Sequence, residues 1–388
     1  MLSELESAEF KNSQNGFLLF DKFLNSLNST SDNLSYICSM PEHEIYIRRC
    51  LELAELGLGN VSPNPMVGAV IVHENKIIGE GYHQKYGEAH AEVNAVNDVI
   101  DKFNDYDILL RQSTIYVSLE PCAHYGKTPP CADLIIKHQI PKVVVGCRDP
   151  FDQVNGKGIE KLEAAGIKVI VGVLEDECKW LNRRFFTRVQ KHRPYVILKW
   201  AQTADGFFGP ADGTQFWITG TESRKLVHQW RGEEDAILVG TNTVAIDNPQ
   251  LNVRYGTGRS PKRIVIDRTL KLDKGLNIFD QSVETLIFNE LKTEFDGKNK
   301  YIALEDFGRY VPEYILYQLY LQDIQSVIIE GGAYTIDRFI KAGLWDEARI
   351  FTGIPTLKEG IKAPDIEGFE IIKESLTGTD NLQILVNG

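Results

Sequence analysis

No stretch of this sequence supplies the roughly 20 consecutive apolar residues that a membrane-spanning helix needs. A secretory leader is not expected either, because the early charges are acidic (Glu4, Glu6, Glu9) and the apolar run Phe17-Leu18-Leu19-Phe20 is short. Positive charge is in deficit: 42 Lys and Arg stand against 54 Asp and Glu, for a net charge of −12. Nucleic-acid binding over an extended face needs clustered basic side chains, so no nucleic-acid partner and no membrane partner is expected. A few arginines around one phosphate remain compatible with that balance. Cysteine is sparse, six in 388 residues (Cys38, Cys50, Cys122, Cys131, Cys147, Cys178), and two of these sit in a metal-type spacing. That usage excludes a disulfide framework and fits a reducing cytoplasm.

Hydrophobic residues at 43% and charged residues at 25% are ordinary for a soluble globular chain, and the length calls for more than one domain. Residues 1–39 are rich in Ser and Asn and poor in periodic pattern. They read as an N-terminal extension, disordered or preceding a true translation start at Met40, which the intact mass of the native protein decides. Residues 40–190 read as a first domain, with helical spacing from Glu44 to Leu58, strands over Met66–His73 and Lys76–His83, and a helix from Ala89 to about Ile100. Strands over Ser113–Leu119, Lys142–Cys147 and Ile167–Val173 alternate with helices from Pro129-Pro130 and over Gly158–Ala165. His192-Arg193-Pro194 reads as a linker. Residues 194–388 then alternate again, with strands over Tyr195–Trp200, Ala236–Gly240, Lys262–Asp267, Thr285–Asn289, Ser326–Glu330 and Ala348–Thr352. Alternation of this kind means sheets with helices packed on their faces, an α/β class in both halves.

His90, Glu92, Cys122 and Cys131 carry the chemistry of the first half. A catalytic zinc takes three protein ligands and leaves one position for water. Thiolates from Cys122 and Cys131 and a neutral His90 nitrogen suit Zn2+, and Glu92, two residues from His90, is placed to move protons. A lone His-x-Glu is mostly chance, and two cysteines nine apart are commonly buried apolar thiols; it is the combination, with Pro121 before Cys122, that makes a zinc site. The pattern matches that of zinc nucleobase deaminases except for a longer gap between the cysteines.

With that longer gap, Val61-Ser-Pro-Asn-Pro-Met-Val-Gly68, Gly81-Tyr-His83, Gly87 and Glu120-Pro-Cys-Ala-His-Tyr-Gly-Lys-Thr-Pro-Pro-Cys131 together resemble the bifunctional deaminase/reductase of riboflavin biosynthesis. The resemblance runs from about Pro41 to the C-terminus. It implies a cytidine-deaminase-like α/β/α sandwich with a mixed sheet, zinc on His90, Cys122 and Cys131, Glu92 as proton donor and acceptor, and Asn64, His83 and Lys127 at the substrate. On physical grounds Asn64 also suits a turn between two prolines, and Lys127 a solvated loop.

The second half opens with no Gly-x-Gly-x-x-Gly, so it carries no Rossmann fingerprint. Ser326-Val-Ile-Ile-Glu-Gly-Gly332 instead puts paired glycines before a helix, where backbone N–H groups can meet a phosphate or simply satisfy a tight turn. Leu198-Lys-Trp-Ala-Gln-Thr-Ala-Asp-Gly206, Phe216-Trp-Ile-Thr-Gly220, Trp230-Arg231 and Thr241–Arg254 resemble the reductase half of the same family. This implies a dihydrofolate-reductase-like α/β domain with NADPH at Ala201, Trp217, Thr243, Asp247 and Gly332, and substrate at Arg231, Leu251, Arg254 and Glu330. Arg231 and Arg254 suit a guanidinium fork on a ribose phosphate, although each also suits an ordinary surface charge. Two positions depart from the family pattern, which favours serine at both. Gln215 stands at a substrate position, and Arg268 stands by the cofactor, where it is expected to pair the 2′-phosphate of NADPH. Lys199 and Asp247 are candidates for a proton donor. The expected partner is a small phosphoribosyl-pyrimidine, and the resemblance suggests a homo-oligomer.

Overall fold

Uninterrupted apolar runs such as Ala69-Val70-Ile71-Val72 bury the first sheet on both faces. The computed structural model describes residues 42–388 apart from 126–128, 152–153, 257 and 309. The expectations placed on residues 1–39, Met40 and Lys127 lie outside the described residues. The chain divides in sequence between Gln190 and Lys191 into two compact units.

The first unit runs α1 (Glu42–Glu55), β1 (Gly68–His73), β2 (Lys76–Tyr82), α2 (Ala91–Lys102), α3 (Tyr106–Leu110), β3 (Thr114–Leu119), α4 (Cys131–Lys137), β4 (Lys142–Cys147), α5 (Lys157–Ala164), β5 (Lys168–Val171), α6 (Glu175–Leu181) and α7 (Arg183–Lys191). Its sheet has the order β2-β1-β3-β4-β5. β1 is antiparallel to both neighbours, while β3, β4 and β5 are parallel. Along β1, Ala69 and Ile71 pack with Ala95 and Val99 of α2, whereas Val70 and Val72 pack with Ile47, Cys50 and Leu51 of α1. Successive strand residues point to opposite faces, so this alternation builds the two helix layers of an α/β/α sandwich. Each fully buried Val, Leu or Ile contributes about 1.5–3 kcal/mol relative to exposure.

Several boundaries differ from the sequence reading by one to three residues, and two of the shifts have a clear cause. α2 starts at Ala91 rather than Ala89, because His90 is extended (φ −74, ψ 167) and caps the helix through its carbonyl, which accepts the Asn94 N–H at 3.1 Å. α1 stops at Glu55 rather than Leu58, because Leu56 and Gly57 close back on Leu53 and Ala54 in tight turns.

The second unit runs β6 (Tyr195–Gln202), β7 (Phe207–Gly209), α8 (Thr221–Glu233), β8 (Ala236–Gly240), α9 (Thr241–Asp247), β9 (Lys262–Ile266), β10 (Thr285–Asn289), β11 (Glu294–Asp296), β12 (Asn299–Ala303), α10 (Val311–Tyr320), β13 (Ser326–Ile329), α11 (Ala333–Lys341), β14 (Glu347–Thr352), β15 (Ile361–Lys362), β16 (Phe369–Thr377) and β17 (Asp380–Asn387). Its large sheet has the order β11-β12-β10-β9-β8-β13-β6-β14-β17-β16. Neighbours are parallel from β12 to β14, and antiparallel strands close both edges. Ile329 of β13 pairs with Leu198 of β6 and Leu238 of β8. Lys199, Gly240 and Glu330 therefore emerge near one another at the carboxyl ends of the central strands, where open α/β sheets bind ligands.

Candidate active sites

In the first unit the end of β2, the start of α2 and the loop between β3 and α4 converge. A Cβ on Gly81 would lie 2.3 Å from Ala95 N and 2.5 Å from Ala91 O. Only glycine there lets the first turn of α2 sit directly on β2, which brings His83 against His90, ring centroids 5.3 Å apart. His90 caps α2 and Cys131 opens α4. Their ligand atoms and Cys122 Sγ lie within 4.8 Å of one another.

His90 Nδ1 is 3.7 Å from Cys122 Sγ and 3.4 Å from Cys131 Sγ. Tetrahedral zinc with about 2.3 Å bonds to sulfur and about 2.0–2.1 Å bonds to nitrogen spaces such ligands about 3.5 Å apart. The three residues fit zinc, with Nδ1 as the histidine donor. The Cys131 side chain and backbone N–H both donate to the Cys122 sulfur, which holds that thiol well below its usual range. A hydrogen bond to Cys122 pushes His90 up. Glu92 is 3% exposed; burial first, then the charge on Cys122, raises its carboxyl, which lies within hydrogen-bonding reach of Cys131.

Beside the trio, His83 Nδ1 meets the Ala89 carbonyl at 3.1 Å and His83 Nε2 meets Asn64 Nδ2 at 3.2 Å. A carbonyl only accepts, so Nδ1 carries the proton, Nε2 accepts from the amide, and the Asn64 oxygen is left as an acceptor. Two supporting residues escaped the sequence reading. Asn182 holds both backbone groups of Met66, each at 2.8 Å, and so pins the segment bearing Asn64. The Glu120 carboxylate accepts N–H groups from Asp149, Gly156, Gly158 and Ile159, fastening the loop after β4 beneath Cys122. Glu120 belongs to the motif before Cys122, a signal for its importance though not for this role; Asn182 has no local signal.

The second unit holds a cavity of about 1190 Å³. Ala201, Trp217, Thr243, Asp247, Arg268 and Gly332, expected at the cofactor, line it. So do Gln215, Arg231, Leu251, Arg254 and Glu330, expected at the substrate. Pockets for one small ligand typically measure about 300–1,000 Å³, so this cleft is at the large end. Trp217 is 62% exposed, with the Arg224 guanidinium 4.9 Å from the centre of its ring.

Arg231 donates to Glu330 through Nε (3.2 Å) and Nη2 (2.8 Å), and Lys199 Nζ stands 4.0 Å from the same carboxylate. Burial pushes the Glu330 carboxyl up, but the Arg231 and Lys199 cations outweigh it and hold it at about 2. Burial lowers Lys199 and raises Asp247. Arg231 is therefore largely committed to an interior carboxylate, which amends the expected two-arginine fork. Arg254 Nη1 meets Gln250 and Asn252, and its Nε and Nη2 carry no bond among the described residues. The paired glycines also have a steric reason: a Cβ on Gly331 would lie 2.9 Å from Gly240 N, and the Gly332 N–H donates to Thr243 Oγ1 at 2.8 Å.

The family profile for the cytidine and deoxycytidylate deaminase zinc-binding region matches residues 40–147, and that for the RibD C-terminal domain matches residues 194–357. The riboflavin biosynthesis protein RibD of Aquifex aeolicus is 40% identical over 338 residues, spanning 85% of this chain and 92% of that protein. RibD of Escherichia coli is 35% identical over 329 residues, spanning 80% of this chain and 87% of that one. Among solved structures, the diaminohydroxyphosphoribosylaminopyrimidine deaminase/5-amino-6-(5-phosphoribosylamino)uracil reductase of Thermotoga maritima is similar at a TM-score of 0.81 and 38% identity, covering 89% of this chain and 99% of that one.

Proposed function

Because the chain belongs to the RibD family of riboflavin biosynthesis proteins, with a zinc-binding deaminase domain and an NADPH-dependent reductase domain, we propose that its two sites act on one phosphoribosylated pyrimidine in succession. The first removes the exocyclic amine of 2,5-diamino-6-(5-phosphoribosylamino)pyrimidin-4(3H)-one as ammonia. The second reduces the ribosyl group of the resulting 5-amino-6-(5-phosphoribosylamino)uracil to ribityl. The observation that carries this reading is the convergence of His90 Nδ1, Cys122 Sγ and Cys131 Sγ beside the buried Glu92.

His90, Cys122 and Cys131 would hold zinc, which would supply an attacking water whose pKa is lowered towards about 7. Glu92 takes a proton from the attacking water and hands it to the departing amine, and its raised pKa suits a group that must carry that proton in between. Asn64 offers its oxygen to a ring or amino N–H of the pyrimidine, and His83 holds the amide in that orientation. Lys127, which lies between the two cysteines in sequence, would meet the phosphate as a point charge.

NADPH bound in the reductase cleft would supply the hydride for C1′ of the sugar, and a proton would complete the opening to ribityl. Ala201, Trp217, Thr243, Asp247 and Gly332 line the cofactor's path, with Arg268 at the 2′-phosphate. Gln215, Leu251 and Glu330 border the substrate. Arg254 is the arm that meets the ribose phosphate, and Arg231 adds charge while it holds Glu330. Fixing donor and acceptor in one cleft accounts for most of what the protein contributes here.

Thiolate ligands fit a compartment that keeps cysteine reduced, so we place the enzyme in the cytoplasm; among the described residues no helix is long and apolar enough to cross a membrane. Homo-oligomeric assembly is carried over from the family resemblance. The full-length protein incubated with the diaminopyrimidinone is expected to release ammonia without NADPH, then to oxidise NADPH once it is added. Failure to release ammonia together with failure to oxidise NADPH would sink the proposal.

A further inference from the structure

Behind the reductase cleft, His228 is buried on α8, one turn before Arg231. Its Nδ1 accepts the backbone N–H of Arg254 at 3.2 Å, and its ring packs edge-on against Tyr255, centroids 4.9 Å apart. The segment it grips leaves Leu251 in the left-handed region, φ +50, a conformation that a β-carbon disfavours and that outside contacts must maintain. Ser260 Oγ takes the neighbouring Val253 N–H at 3.2 Å, so two side chains anchor the backbone of this loop.

Resting on the reading of Arg254 as a phosphate ligand, we propose that His228 is a positioning residue for the reductase substrate's phosphate: its Nδ1 fixes the Arg254 backbone to α8 and so aims the Arg254 guanidinium into the cleft occupied by Arg231. A backbone N–H can only donate, so the bond exists only while Nδ1 is unprotonated. Burial first, then the cations of Arg231 and Arg254, hold the imidazole down at about 4, against an opposing pull from Glu330. The ring therefore stays neutral across the working range, and the anchor is permanent rather than a switch. His228 takes no part in hydride transfer, and the cofactor residues lie on other elements.

The test compares His228→Leu, which deletes the acceptor, with His228→Asn, whose side-chain oxygen can occupy the place of Nδ1. Both are assayed as the full chain with NADPH and the deaminated phosphoribosyl substrate. His228→Leu is expected to raise the KM for that substrate about three- to tenfold, the weight of one net hydrogen bond. The KM for NADPH and kcat are expected to stay within about twofold, and competitive inhibition by inorganic phosphate to weaken in parallel with substrate binding. His228→Asn is expected to recover most of the loss. An unchanged substrate KM in His228→Leu overturns the proposal, as does an equal rise in both KM values or a His228→Asn variant no better than His228→Leu. Wild-type protein that fails to oxidise NADPH with this substrate removes the reductase reading itself, a different result from a wild-type rate that His228→Leu leaves untouched.

Discussion

Arg268 follows β9 on the wall of the reductase cleft, its Nε held by Glu290 at 2.7 Å while the side chain remains 61% exposed. The rest of the guanidinium is left to meet an anion with two parallel hydrogen bonds. Arg268→Ala is expected to lower the preference for NADPH over NADH about tenfold, as the ratio of kcat/KM values, since a charge-assisted contact is at stake at a partly solvated site. An unchanged ratio removes this residue from 2′-phosphate recognition. Arg231 teaches the complementary lesson. Its residue type suits a phosphate, yet its fork is turned onto Glu330, a partner 99 residues away. No local pattern around Arg231 announces that pairing.

At the scale of elements, the deaminase site depends on how closely α2 lies on β2. Gly81→Ala would put a methyl group 2.3 Å from Ala95 N, against backbone that cannot swing aside. Overpacking of this kind costs about 1–3 kcal/mol and displaces the helix, and α2 carries Glu92 with His90 at its cap. Ammonia release is expected to fall at least about tenfold, while NADPH oxidation with preformed deaminated substrate stays within about twofold, because the reductase cleft is built from other strands. Equal rates of ammonia release in mutant and wild type would show that α2 can shift without disturbing the ligands. Strands buried on both faces were legible as short apolar runs ending at polar turns, as β1 shows with Ala69 and Ile71 on one side and Val70 and Val72 on the other. α3, α6 and α7 were not: the first two are too short for a helical period to stand out, and α7 is mostly Arg, Lys and Phe. The hairpin of β16 and β17 was also missed, although Gly378, at φ +63 between Thr377 and Asp380, is a hairpin signal.

For the whole molecule, two units with separate cores hold two chemistries that need different cofactors. Removing zinc with a chelator is expected to abolish ammonia release and leave the oxidation of NADPH with preformed deaminated substrate within about twofold, and restoring zinc to return the first activity. A parallel loss of both activities would overturn that independence. The amino-acid sequence by itself determined the class of each half and the metal-type residues, because apolar strand runs alternating with helices and the His90-x-Glu92 and Pro121-Cys122 patterns are local and survive in one dimension. Only the tertiary structure decided that His90 turns its Nδ1 towards the two sulfurs, that Arg231 answers to Glu330, and that Asn182 clasps Met66 across 116 residues. A hydrogen bond depends on which atoms the fold brings within about 3 Å, and spacing along the chain carries no record of a partner so far away.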